Sequence, residues 1–267
     1  MNITDWQHRY QKATLTICLG LIIWALAGVF TSSFNVTSYW GVGLGVVFLW
    51  LFSLGLFVRQ FGLKKGALGL LVILGVVTFF LIFNQYRGWP FGLKTFHDIL
   101  GWKLSWGISW PIPVFWSFMT AAALLINQPK QVTPDPKKLF SWAFDSSVMV
   151  LMISFIIEPI LANTSAVSWS MPGAVLGVPF SSFIGWFIVS FVASSLFVFL
   201  IKPPMEQKIS LNPLLSVLLL LSLLSLSVSH VTRLSLIKIF SILAVLSVLA
   251  LFYWNRKKTL PPAEAQS

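Results

Sequence analysis

Charge is scarce in this chain: 9% of its 267 residues are Asp, Glu, Lys or Arg, where a soluble domain carries about 25%. With 57% hydrophobic residues it cannot cover itself against water, which excludes a soluble globular protein and leaves an integral membrane protein. Acids are the scarcest, seven in all, so chemistry that needs a carboxyl group has few places to put it. The single cysteine, Cys18, excludes an internal disulfide, and three dispersed histidines give no metal-binding spacing. No metal and no cofactor is expected. P-loop, H-E-x-x-H and nucleophile-elbow patterns are all missing. Gly41-x-Gly43-x-Gly45 sits inside an apolar run with no strand before it, so it is no nucleotide fingerprint. Gly41 and Gly45 are expected to let helices pack closely. The net charge of +11 does not imply nucleic acid, because the basic residues are scattered through short loops instead of forming a stripe. They are read as setting topology and meeting anionic lipid headgroups.

Long greasy runs are what the chain has instead. Eight approach the roughly 20 apolar residues that cross a hydrocarbon core: near Ala13–Phe30, Trp40–Val58, Gly66–Phe83, Pro111–Ile126, Leu139–Leu161, Phe180–Ile201, Leu214–Val231 and Ile237–Trp254. Only Thr232–Leu236 separates the last two, so seven spans are the alternative. The first run is long and lacks an A-x-A site, so it reads as a retained helix rather than a cleaved signal peptide. The predicted fold class is all-α: a polytopic membrane helical bundle of about eight transmembrane helices, one unit over 1–258, with a disordered tail at 259–267.

Basic residues then predict the orientation. With the N-terminus inside, the inner segments hold Arg9 and Lys12; Arg59, Lys64 and Lys65; Lys130, Lys137 and Lys138; Lys202 and Lys208; and Arg256, Lys257 and Lys258. The outer segments hold Arg87, Lys94 and Lys103, then Arg233 and Lys238. The bias predicts a multi-pass protein of the cell membrane with both termini cytoplasmic. Two unusual segments, Trp89–Trp116 and Glu158–Trp186, then fall on the outer side. Both are crowded with tryptophan, proline and glycine and poor in charge. Irregular backbone at membrane depth must pack against protein or line a cavity, so these aromatic loops are where an oily substrate would be handled. Each precedes a span opened by a proline (Pro111, Pro179) with a tryptophan soon after (Trp116, Trp186), a pattern that suggests a degenerate duplication.

At these loops the chain carries Trp89-Pro90-Phe91-Gly92, Asp98-Ile99-Leu100-Gly101-Trp102-Lys103, Pro111-Ile112-Pro113 and Trp116. It then carries Glu158-Pro159, Trp169, Gly177-Val178-Pro179-Phe180 and Phe183-Ile184-Gly185-Trp186. In this ordered set it resembles the carotenoid biosynthesis membrane protein family that includes carotenoid 1,2-hydratase and bisanhydrobacterioruberin hydratase, as a divergent member, over roughly 66–190. The resemblance implies a hydro-lyase that adds water to a terminal C=C of an acyclic carotene end group, with a lipid-soluble polyene or isoprenoid as substrate. The chain departs from that pattern where acids would stand at Asn84 and Ser154 and tyrosines at Lys94 and Phe96; the acid-proline pair is Glu158-Pro159.

Hydrating an isolated trisubstituted double bond needs a strong proton donor, a stabilised tertiary carbocation and a water to trap it. A carboxylic acid in an apolar pocket keeps its proton because burial disfavours the anion. Tryptophan faces stabilise the cation through their quadrupoles. Among the seven acids, Asp5, Asp135, Glu206 and Glu264 fall in terminal or inner segments. Asp145 is thirteen residues from Glu158, about 20 Å along a helix, and a snorkel toward Lys137 or Lys138 suits it. Glu158 and Asp98 remain as candidate catalytic acids on one side of the membrane, with Ser154 on the helix face of Glu158. Each has a plain rival: Glu158 reaching the interface, Asp98 capping a loop helix or pairing with Lys94 or Lys103. His97 is a candidate proton shuttle or a hydrogen-bonded spectator, and His230 is expected at the interface. Trp89, Phe91, Trp102, Trp110, Trp116, Trp169 and Trp186 are the candidate substrate-lining residues, with Trp106 beside them. Trp40, Trp50, Trp142 and Trp254 fit the interfacial belt. Ser222, Ser225 and Ser229 are expected to bond another helix. Two alternatives stay open: a non-catalytic lipid- or carotenoid-binding membrane protein, and a small transporter built on the duplication. Beyond the polyene and membrane lipids no partner is indicated, and the oligomeric state is unknown.

Overall fold

A computed structural model describes residues 40–98, 101–129, 135–203, 211–231 and 235–259, with several helical positions between 9 and 23. Cys18, most of the first apolar run, the 32–39 loop, Asp5, Ile99, Leu100, Glu206, Glu264 and the tail beyond Thr259 lie outside the described residues, as do the side chains of Trp40, Ser229, His230 and Trp254.

From residue 40 the chain forms α1 (Trp40–Phe61), α2 (Leu63–Arg87), β1 (Lys94–Phe96), α3 (Pro111–Ile126), α4 (Pro136–Asn163), β2 (Val167–Trp169), α5 (Phe180–Leu196), α6 (Asn212–Val231) and α7 (Ser235–Thr259). These match the apolar runs to within a few residues. Prolines open α3 and α4, where a missing N–H costs nothing. Among the described residues four stretches are long and apolar enough to cross a membrane: Gly43–Phe61, Leu63–Arg87, Pro136–Asn163 and Phe180–Ile201. The last includes a π-helical turn, Phe197–Ile201, that continues α5.

The pairs α1 with α2, α4 with α5 and α6 with α7 pack as neighbours, and α3 contacts α1, α2 and α4. Nearly every side chain of α3 is buried, which explains why it is apolar on all sides. Its 16 residues reach about 24 Å, short of a hydrocarbon core of about 30 Å. It is a short apolar helix in the middle of the bundle. At the end of α5 the Phe197 ring seats over Gly69, where any Cβ would overlap it. Phe57 and Phe61 close around the same ring at 5.3 and 5.1 Å.

The helical bundle carries one small β element. The two aromatic loops pair with each other as an antiparallel two-stranded ribbon, with Lys94 opposite Trp169, Thr95 opposite Ser168 and Phe96 opposite Val167. Close packing assigned to Gly45 moves to Gly43: a Cβ on Gly45 meets nothing, whereas one on Gly43 would lie 2.7 Å from the Trp110 ring, and the surroundings of Gly41 lie outside the described residues. Trp142, expected at the interface, is buried with its Nε1 donating to the Leu124 carbonyl at 2.8 Å. Ser222 and Ser225 donate to carbonyls of their own helix, Leu218 and Leu221, instead of to another.

Candidate functional site

The ribbon sorts its side chains by the alternation of a strand. Lys94, Phe96, Val167 and Trp169 are buried, and Thr95 and Ser168 are exposed. Several bonds hold the ribbon against the bundle. The Asn84 Nδ2 donates to the Gly92 carbonyl at 2.9 Å while the Phe91 N–H donates to Asn84 Oδ1 at 3.0 Å. Gln85 Nε2 donates to the Lys94 carbonyl at 3.3 Å. The turn above β1 therefore needs one donor and one acceptor from position 84, which an amide supplies and a carboxylate does not. Asn84→Asp is expected to cost about 1–3 kcal/mol, the penalty of a mismatched buried polar pair, read as a fall in thermal unfolding midpoint in detergent.

Phe91 enters the core through a gap in α5. A Cβ on Gly185 would lie 2.5 Å from Phe91 Cδ1 and 3.1 Å from the Pro90 carbonyl oxygen. Gly185→Ala must push this ring aside. Overpacking of this kind costs about 1–3 kcal/mol, and the same unfolding measurement is expected to show it.

Below Phe91 lies Glu158, on the penultimate turn of α4 next to Pro159, which lies inside the helix. Ser182 and Trp186, four residues apart on α5, face it together. Trp186 Nε1 donates to Glu158 Oε1 at 2.6 Å and Ser182 Oγ to Oε2 at 2.9 Å. Lys94 Nζ stands 4.0 Å from Oε1, and both side chains are 1% exposed. The same Nζ lies 4.2 Å from the centre of the Phe91 ring, 5.1 Å from Trp186 and 5.5 Å from Phe96. Trp116 stacks on Trp186 at 3.9 Å and 17°, and Phe91 leans on it at 4.5 Å. Burial pushes the Lys94 amine below its ordinary value of 10.5, and the Glu158 charge opposes that shift. The result is a dry carboxyl group and a dry amine inside an aromatic box.

Of the residues singled out in the sequence, Glu158, Phe91, Trp116 and Trp186 come together here, and Trp169 sits across the ribbon from Lys94. Trp89 is half-exposed against Phe80 and Phe83 on α2. Trp102 and Trp110 form a separate pair at 5.7 Å beside Gly43, and Trp106 is exposed. Asp98 is outside the box: its side chain is 86% exposed and pairs with Lys103 at 3.2 Å. An acid in water lacks the dryness the chemistry asks of it. His97 lies on the exposed face of the ribbon, bonded to Ser168 Oγ at 2.9 Å. Asp145 is exposed and accepts from Ser141 at 3.1 Å rather than reaching a lysine. Ser154 donates to the Leu151 carbonyl of its own helix.

Lys94 and Ser182 are the members that residue patterns did not pick out. Ser182 was findable as the position one turn before Trp186. Lys94 was not, because a loop lysine ordinarily points to water. Among the described residues no group of His, Cys, Asp or Glu is placed to hold a metal ion.

No curated protein and no solved structure matches the chain. A family model described as carotenoid biosynthesis protein matches residues 38–252. That stretch holds every residue of the box and extends past both ends of 66–190, and the chain belongs to that family.

Proposed function

We propose that the protein hydrates a terminal C=C of an acyclic carotene or related isoprenoid end group, with Glu158 as the proton carrier. One observation carries this reading: a carboxyl group 1% exposed, gripped on both oxygens by Trp186 and Ser182 and backed by stacked indoles. Glu158 gives its proton to the less substituted alkene carbon. The tertiary cation forms beside the Phe91 and Trp186 faces, which are worth about 2 kcal/mol or more to a desolvated cation. Water adds to the cation, and its surplus proton returns to Glu158. The donors from Trp186 and Ser182 hold the carboxyl group in one orientation. Both ribbon strands and Glu158 lie on the outer side in the topology the basic residues predict.

A second reading has its own observation. The ammonium of Lys94 already lies over the Phe91 and Trp186 rings, where a carbocation would need to form, and like charges repel. A protein that holds a polyene without transforming it fits that arrangement. Expression in cells that accumulate lycopene separates the two. A pigment heavier by one water supports the hydratase, and unchanged pigment with membrane-inserted protein rejects it in favour of binding.

A further inference from the structure

We propose that Lys94 is an imine-forming lysine: the box takes a polyene aldehyde whose carbonyl carbon bonds to Lys94 Nζ, with Glu158 facing the resulting iminium. This rests on the reading that the box accepts a polyene end group, but not on the hydration step.

The placement of the amine is the first argument. Its side chain is 1% exposed, and Glu158 at 4.0 Å is beyond hydrogen-bond distance. A lysine kept only for an ion pair would sit closer, and an arginine would serve that role better. A desolvated lysine with a neighbouring carboxyl group is instead how an amine nucleophile is prepared. Burial lowers its proton affinity, which favours the free amine that attacks a carbonyl.

The electrostatics of the box suit the product. An iminium, like the ammonium it replaces, is a cation at the same nitrogen. It keeps the faces of Phe91, Trp186 and Phe96 and keeps Glu158 as counter-charge. Two orphaned donors add an independent sign. Trp116 Nε1 and Trp169 Nε1 are buried without a hydrogen-bond partner. One belongs to the ring stacked on Trp186, the other to the residue paired with Lys94. Buried N–H groups of this kind call for an acceptor, and an aldehyde or carbinolamine oxygen is one.

The step balances within the pair. Proton transfer between Lys94 and Glu158 gives the amine and the carboxylic acid. The amine adds to the carbonyl carbon, forming the C–N bond, and the proton it sheds moves to oxygen. Glu158 then protonates the departing hydroxyl, water leaves, and an iminium faces the Glu158 carboxylate. Aldehyde, amine and acid give iminium, carboxylate and water, with nothing oxidised or reduced.

The test uses the full chain in detergent micelles with all-trans-retinal as probe, borohydride reduction, and peptide mapping by mass spectrometry. The expected result is a retinyl adduct at Lys94 at least tenfold above any other lysine, with an absorbance band red-shifted from free retinal. Glu158→Gln is expected to move that band. Lys94→Arg is expected to abolish the band; the wild-type map stands alone should that variant not fold. No adduct at Lys94, or adducts spread over exposed lysines such as Lys137 and Lys138, overturns the inference. An adduct at Lys94 without hydrated pigment in cells leaves it standing and sinks only the hydratase. Hydrated pigment without the adduct does the reverse.

Discussion

Glu158→Gln is expected to lower the yield of hydrated carotene by about 10²–10⁴-fold, the range that a positioned general acid contributes. Glutamine keeps the shape and an oxygen to accept from Trp186 Nε1, which now bonds Oε1 at 2.6 Å, but it has no acidic proton. Pigment from lycopene-accumulating cells, normalised to the amount of inserted protein, is the readout. Asp98→Asn belongs in the same experiment. That side chain is 86% exposed, so its loss is expected to change the yield less than twofold. If Asp98→Asn were to abolish the product while Glu158→Gln did not, the proton donor would have to be sought in the exposed loop.

Lys94→Met is expected to destabilise the protein by about 3–5 kcal/mol, because removing one member of a buried pair strands the other. Glu158→Gln is expected to do the same from the other side. The double variant Lys94→Met with Glu158→Gln is expected to regain most of that loss. A pair separated by 4.0 Å gains too little attraction to cover the desolvation of two charges, so removing both is close to neutral or favourable. Thermal or denaturant unfolding of the four proteins in one detergent closes the cycle. Additive losses in the double variant would mean that the two groups do not interact. The cycle also weighs function against stability: a pair that costs stability and persists is kept for what it does.

The helices were legible because apolar length is a coarse signal. The run at Pro111–Ile126 matches α3 at both ends, since a proline opens it and polar residues close it. Its role was not legible, because a fully buried short helix and a lipid-facing one share a composition. Trp142 misled for a related reason: a tryptophan near a span's end reads as a belt residue, and only the Leu124 carbonyl 2.8 Å away makes it internal. Glu158 could be narrowed from seven acids by the dryness the chemistry demands. Asp98 passed the same filter in sequence because its neighbours are aromatic, yet β1 ends at Phe96 and the acid past it faces water. Lys94 shows the limit most clearly. Its burial comes from the alternation of a three-residue strand, too short to register in one loop, and the partner strand lies in another loop altogether.

The pairing of those loops has a consequence for biogenesis. Lys94 and Thr95 emerge from the ribosome long before Ser168 and Trp169, their partners in the ribbon, with α3 and α4 inserted between. Until α4, β2 and α5 are made, Lys94 has neither Glu158 nor the Trp186 indole beside it. Assembly of this centre is therefore a late event, and a chain halted before Trp186 would expose Lys94 to quality control instead of sealing it.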